Sequence, residues 1–134
     1  MKYYISTKLN VSFDQAVSKV TEALKIEGFG VLSEINIHEK FKEKLNVDFR
    51  KYRILGACNP AFAYKALQGE DKVGTMLPCN VIVQELAENE IEVAAVNPIA
   101  SMMAINNPAL EEIATEILEK LKRVIYGLNP VLKQ

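Results

Sequence analysis

Two cysteines are the residues best suited to chemistry in this chain of 134 amino acids, and each lies close to an asparagine and a proline. Cys58 belongs to Ile54-Leu55-Gly56-Ala57-Cys58-Asn59-Pro60, and Cys79 to Leu77-Pro78-Cys79-Asn80. The first stretch ends an apolar run and the second begins one, so both thiols fall where the backbone changes direction. A thiolate at a helix N-terminus is stabilised by the helix dipole, which lowers its pKa. Cys58 directly precedes Asn59-Pro60, and an Asn N-cap followed by Pro at the first helical position is a helix-start signal. Cys58 is therefore a candidate nucleophile, with Cys79 as a candidate resolving thiol if their strands run close together. The competing reading is that both are small buried hydrophobes, because free cysteine is among the most buried residue types.

Other combinations are less specific. Cys58, Cys79 and His38 supply three possible metal ligands, but a structural zinc site uses four, with short Cys-x-x-Cys spacing that is absent here. No metal is expected. Glu34 and His38 are four residues apart and share a face of any strand that runs that far. Such a pair can orient an imidazole for proton transfer, although a strand end in water has the same pattern without chemistry. Glu85, Glu88, Glu90 and Glu92 surround a hairpin turn and read as solvated charge. Asn-Pro occurs at 59, 97, 107 and 129, and each pair can cap or end an element. Asn59-Pro60 and Asn97-Pro98 follow directly on strands, so their amides could meet one ligand if those strand ends lie together. No phosphate-binding glycine loop and no nucleophile elbow is present, and no cofactor is indicated.

The elements that must position these residues follow from periodicity and caps. Tyr3 to Leu9 reads as a strand. Ser12-Phe13-Asp14-Gln15 fits a capping box, and Phe13, Val17, Val20 and Leu24 form one helical face that Gly28 brings to a stop. Phe29 to Ile37 is a second strand, His38 to Leu45 a short helix, Asn46 to Arg50 a turn or loop, and Lys51 to Cys58 a third strand. On that strand Tyr52, Ile54, Gly56 and Cys58 share one face, with Arg53, Leu55 and Ala57 on the other. Asn59-Pro60 opens a helix carrying Phe62, Ala63, Ala66 and Leu67. Gln68 to Thr75 reads as a loop. Leu77 to Leu86 is a strand with Pro78 tolerable only near its start. A turn at Glu88-Asn89-Glu90 leads back into Ile91 to Val96, antiparallel to it. Asn107-Pro108 opens the last helix, whose apolar face is Leu110, Ile113, Ala114, Ile117, Leu121, Val124 and Ile125. Gly127 stops it, and Asn129 to Gln134 is a tail. Met102 and Met103 make an apolar patch that serves either core packing or a dimer surface.

Long helices at both ends and a late hairpin argue for an α+β fold, a mostly antiparallel sheet with long helices packed on one face. The other face then needs a cover of its own or must be polar. A hydrophobic fraction of 49% and a charged fraction of 25% suit one globular domain over residues 1–134. Net charge is -1, from 16 basic and 17 acidic residues, which disfavours nucleic-acid binding. No apolar stretch reaches the roughly 20 residues of a membrane helix, and no signal peptide opens the chain. The expected location is the cytoplasm, with both thiols reduced.

Taken in order, several short segments resemble the domain of unknown function 302 family. Phe13 to Phe29 resembles its opening helix followed by its Gly-Phe strand start, with Gly28-Phe29 in place, and Val31-Leu32-Ser33-Glu34-Ile35 resembles its next strand. Tyr52 to Pro60 resembles its apolar strand ending in Asn-Pro. Leu77-Pro78-Cys79-Asn80-Val81 is similar to its Leu-Pro strand entry, and Val96-Asn97-Pro98 to a later strand end where Asp-Pro is commoner. The resemblance implies a β-α-β4-α arrangement of the TATA-binding-protein-like class, and a homodimer. It supplies no catalytic residues.

Three functions remain open on these grounds. The first is a homodimer that binds a small ligand near Cys58, Asn59, Pro60, Pro78, Cys79, Asn97 and Pro98. The second is a thiol-dependent enzyme or redox protein using Cys58 with Cys79. The third is a pocketless interaction module.

Overall fold

The structure, a computed structural model, describes residues 1–129, so the expected tail beyond Asn129 lies outside the described residues. The elements are β1 (Tyr4–Leu9), α1 (Phe13–Ile26), β2 (Gly30–Asn36), α2 (Ile37–Leu45), β3 (Tyr52–Cys58), α3 (Pro60–Gly69), β4 (Cys79–Ala87), β5 (Glu90–Val96), α4 (Pro98–Met102) and α5 (Pro108–Leu128). Short 3-10 turns occupy Asp71–Met76 and Met103–Ile105. The five strands form one sheet in the order β1-β5-β4-β3-β2, and every neighbouring pair is antiparallel.

Local chemistry explains the main boundaries. Gln15 N–H donates to Ser12 Oγ at 3.2 Å and Ser12 N–H donates to Gln15 Oε1 at 3.1 Å, the expected reciprocal cap of α1. At its other end Gly28 adopts φ +87°, and Phe29 N–H donates to Leu24 O at 2.9 Å while Gly28 N–H donates to Lys25 O at 3.0 Å. This is a Schellman ending, which the left-handed glycine makes cheap. Asn107 accepts from Ala109 N–H at 3.0 Å and so caps α5.

The core lies between the sheet and the α1–α5 layer. Phe13, Val17, Val20 and Leu24 of α1 meet Leu55, Val81, Val83, Ile91 and Val93 of the strands and Ile117, Leu121, Val124 and Ile125 of α5. Leu118 is buried as well, one residue outside the expected stripe. Arg123 clamps the two helices by donating to Glu27 Oε1 at 3.0 and 3.1 Å. Among the described residues, no helix is long and apolar enough to cross a membrane.

Four details differ from the expectations. The second strand stops at Asn36, and Ile37 already belongs to α2. The expected loop from Gln68 to Thr75 is the end of α3 and a 3-10 turn, because Val73 is fully buried against Ala66 and Leu110. A short helix, α4, follows Asn97, whose side chain caps it. Gly127 does not stop α5, which continues to Leu128.

Candidate functional site

Register gathers the two cysteines and Asn97 at one end of the sheet. Ala57 pairs with Cys79, and Val81 with Ala95, so counting two residues along brings Cys79 level with Asn97. The strand ends singled out by sequence therefore do form one corner. Their polar groups are already engaged, however. Asn97 is 8% exposed, and its Oδ1 accepts from Ile99 N–H at 3.0 Å and Ala100 N–H at 3.4 Å. Its Nδ2 donates to Lys2 O at 3.1 Å. Asn59 makes no side-chain bond to its own helix. Its Nδ2 instead donates to Glu27 O at 3.4 Å and pins the end of α1. Pro60 occupies the first turn of α3, and Pro98 is buried at the start of α4.

The corner encloses a cavity of about 30 Å³, lined by Cys58, Cys79, Phe29, Phe62, Leu77 and Met102 among others. A water needs roughly 10–15 Å³ on this measure, whereas small-molecule pockets begin near 300 Å³. The space at this corner is thus only water-sized, and its lining is mostly apolar. Cys79 is 8% exposed; burial, with a smaller contribution from the nearby Cys58 charge, pushes its thiol up to about 11. It stays protonated through the neutral range and does not supply a thiolate. Cys58 is half-buried, and both thiols are free. Both cysteines line this cavity, Cys58 at the end of β3 and Cys79 at the start of β4.

Pro78 and Gly56 explain how the strands close here. The Leu77–Pro78 bond is cis, and β4 begins only at Cys79, since proline has no N–H to give the ladder. A Cβ on Gly56 would overlap Ser33 Oγ and lie 2.8 Å from Pro78 Cγ, so only glycine fits between β2 and the proline ring.

Glu34 and His38 sit elsewhere. Gly30 pairs with Cys58 and Asn36 with Arg53, so β2 carries the chain away from the corner before α2 begins. The strand does not reach His38, and the expected shared face with the exposed Glu34 is lost. His38 Nδ1 lies 3.0 Å from Tyr52 N and 3.1 Å from Tyr52 O, so the Tyr52 backbone occupies this nitrogen in either tautomer. No cluster of three or more His, Cys, Asp or Glu side chains suited to a metal occurs among the described residues. The Met102–Met103 patch divides: Met102 packs near Ala66, Val73 and Leu110, while Met103 is 67% exposed.

A second site was not anticipated from the residues. On the sheet face without helices, a groove of about 390 Å³ is lined by Tyr3, Tyr4, Tyr52, Asn80, Ile82, Gln84, Glu92, Ala94, Ala95 and Val96. Across one end of this face runs a relay: Arg50 Nε donates to Gln84 Oε1 at 2.7 Å, and Gln84 Nε2 donates to Glu92 Oε1 at 2.7 Å. The guanidinium also lies 4.3 Å above the Phe49 ring. A signal was available in the strands. A water-facing side of an antiparallel sheet normally alternates to polar residues, yet Ile54, Ile82, Ala94 and Val96 occupy the positions facing away from the core.

These features define a small α+β protein, an antiparallel five-stranded sheet with its long helices on one face and a groove on the other. The chain belongs to the family described as domain of unknown function DUF302, whose model matches residues 5–128. It is also similar to the crystal structure of an uncharacterized conserved DUF302 protein from Bacillus stearothermophilus. The two share 30% identity at a TM-score of 0.86, over 93% of this chain and 97% of that one. No curated protein matches the chain.

Proposed function

We propose that this protein binds a small planar ligand bearing an amine or other cationic group, on the helix-free face of the sheet. The groove of about 390 Å³ carries the reading, because it falls within the range of small-molecule pockets while the cysteine corner holds only about 30 Å³. Three tyrosines line the groove, Tyr4 and Tyr52 with Lys2 and Arg50 already 5.7 and 5.9 Å from their ring centroids, and Asn80 contributes a directional amide while that of Gln84 is engaged by Arg50 and Glu92. Among the described residues Glu92 is the charged group that lines the groove, and its carboxylate favours a cation over an anion. The engaged amides of Asn59 and Asn97 and the protonated Cys79 favour this face over the strand-end ligand site and over a two-cysteine enzyme.

Titration with thioflavin T, a planar aromatic cation that fluoresces when immobilised, tests the reading against the anionic probe anilinonaphthalene sulfonate. The cation is expected to bind more tightly, and Glu92→Gln and Tyr52→Ala are each expected to weaken it by roughly three- to tenfold. Equal binding of both probes, or a Glu92→Gln protein that binds the cation as wild type does, refutes it.

A further inference from the structure

We infer that the cysteine corner is a site for one soft monovalent metal ion, copper(I), held by the sulfur atoms of Cys58, Cys79 and Met102. The inference goes beyond the ligand-binding reading, because the corner shares no lining residue with the groove on the other face of the sheet. Register and a short helix bring the three residues together. Cys58 ends β3, Cys79 opens β4 level with Ala57, and Met102 ends α4. All three line one cavity of about 30 Å³. The thiols are near enough that the charge of Cys58 helps to raise Cys79. Asn97 positions the third donor. Its Oδ1 caps α4 by accepting from Ile99 and Ala100 N–H, and its Nδ2 ties that turn to Lys2 O. His38, the third metal ligand considered from the sequence, lies past the far end of β2, and Met102 takes its place.

Size, softness and charge select the ion. A water-sized cavity admits no organic molecule but has room for a single bare ion. Phe29, Phe62, Leu77 and Ile113 are apolar and offer no oxygen, so a hard cation such as magnesium or calcium lacks its ligands. A structural zinc site needs a fourth ligand, which no carboxylate or imidazole among the described residues supplies here. Thiolate and thioether donors together suit copper(I). Binding displaces both thiol protons: Cu⁺ and two S–H groups give a singly negative dithiolate complex and two released protons, with no change of oxidation state. Met102 adds a neutral thioether. The negative complex lies beside the start of α3, a helix of 10 residues on which Asn59 places no side-chain cap. The positive end of that helix favours the added charge. Half-buried Cys58 meets the incoming ion first, and a copper(I) complex of a small thiol exchanges there, sulfur for sulfur.

Anaerobic titration of the reduced full chain with copper(I), in competition with the chromophoric chelator bicinchoninic acid, tests the site. The wild type is expected to withdraw a single copper(I) per chain from the chelator. X-ray absorption of the loaded protein is expected to show a shell of sulfur neighbours without oxygen. Cys58→Ser and Cys79→Ala are each expected to abolish retention against the chelator. Losing an outer-shell partner costs a metal roughly 10–100-fold in affinity, so Met102→Leu, which removes a donor, should weaken binding by at least about tenfold. Met103→Leu, its 67% exposed neighbour, is the matched control and should bind as wild type does. Circular dichroism confirms the fold of each variant, and the volume-conserving Met102→Leu keeps the inference testable if a cysteine variant unfolds. A wild type that retains no copper(I) overturns the inference. So does undiminished binding by folded Cys79→Ala or Met102→Leu, an equal loss in Met103→Leu, or zinc held as tightly as copper(I).

Discussion

Replacing Gly56 with alanine probes the closest approach in the sheet. The new Cβ would overlap Ser33 Oγ and come within 2.8 Å of Pro78 Cγ, both nearer than real Cβ contacts allow. Alanine in a strand gains roughly 0.5–1 kcal/mol over glycine in chain entropy. Overpacking a closed site costs roughly 1–3 kcal/mol, and here the proline ring cannot rotate away. The difference runs from about 0 to 2.5 kcal/mol, centred on a net destabilisation of about 1 kcal/mol. For a domain of this size about 1 kcal/mol corresponds to a midpoint roughly 3–5 °C lower. Gly30→Ala is the matched control, since a Cβ there meets nothing within 4 Å, and it should be neutral or slightly stabilising. Gly56→Ala with Ser33→Gly removes the worse overlap and should recover part of the loss. The assay is urea unfolding followed by circular dichroism, supported by calorimetry. A Gly56→Ala protein as stable as wild type would refute the packing argument.

Two further predictions concern buried groups. The thiol of Cys79 is raised from 9.0 to about 11, so between these values the unfolded chain binds fewer protons than the native one. Its contribution is then present below about pH 9 and lost as pH rises toward 11, by about 2–3 kcal/mol in all; a Cys79→Ala protein losing the same stability over that range would contradict the assignment. Native Cys79 should also resist alkylation at neutral pH and react on unfolding, as timed labelling with mass spectrometry can read. Thr7 is 3% exposed and its Oγ1 has no hydrogen-bond partner among the described residues. Thr7→Val keeps the shape and removes the unsatisfied hydroxyl, so a gain of roughly 1 kcal/mol is expected in the same unfolding assay.

The sequence alone determined what depends on near neighbours. Ser12 with Gln15, Gly28, and Asn107 with Pro108 mark helix ends through hydrogen bonds and dihedral preferences that span only a few residues, and α1 and α5 lie where those signals place them. Apolar runs likewise located every strand to within about two residues at each end. The cysteines and Asn97 were rightly placed at strand ends, but strand order and register decided that those ends share a corner. Packing density then decided that the corner holds water-sized space and not an organic ligand. Whether Asn59 caps its own helix or ties down Glu27 depends on a carbonyl brought near by the fold, a contact that helical signals do not encode. The groove on the helix-free face belongs to tertiary structure, although the apolar Ile54, Ile82, Ala94 and Val96 already marked that side as unlike a plain solvated face. Tyr4, Tyr52, Ile82 and Glu92 come from four strands spread across the chain, and only antiparallel register sets them side by side. Short-range physics writes helices and turns into adjacent residues, whereas a surface built across strands exists only after long-range pairing has chosen its neighbours.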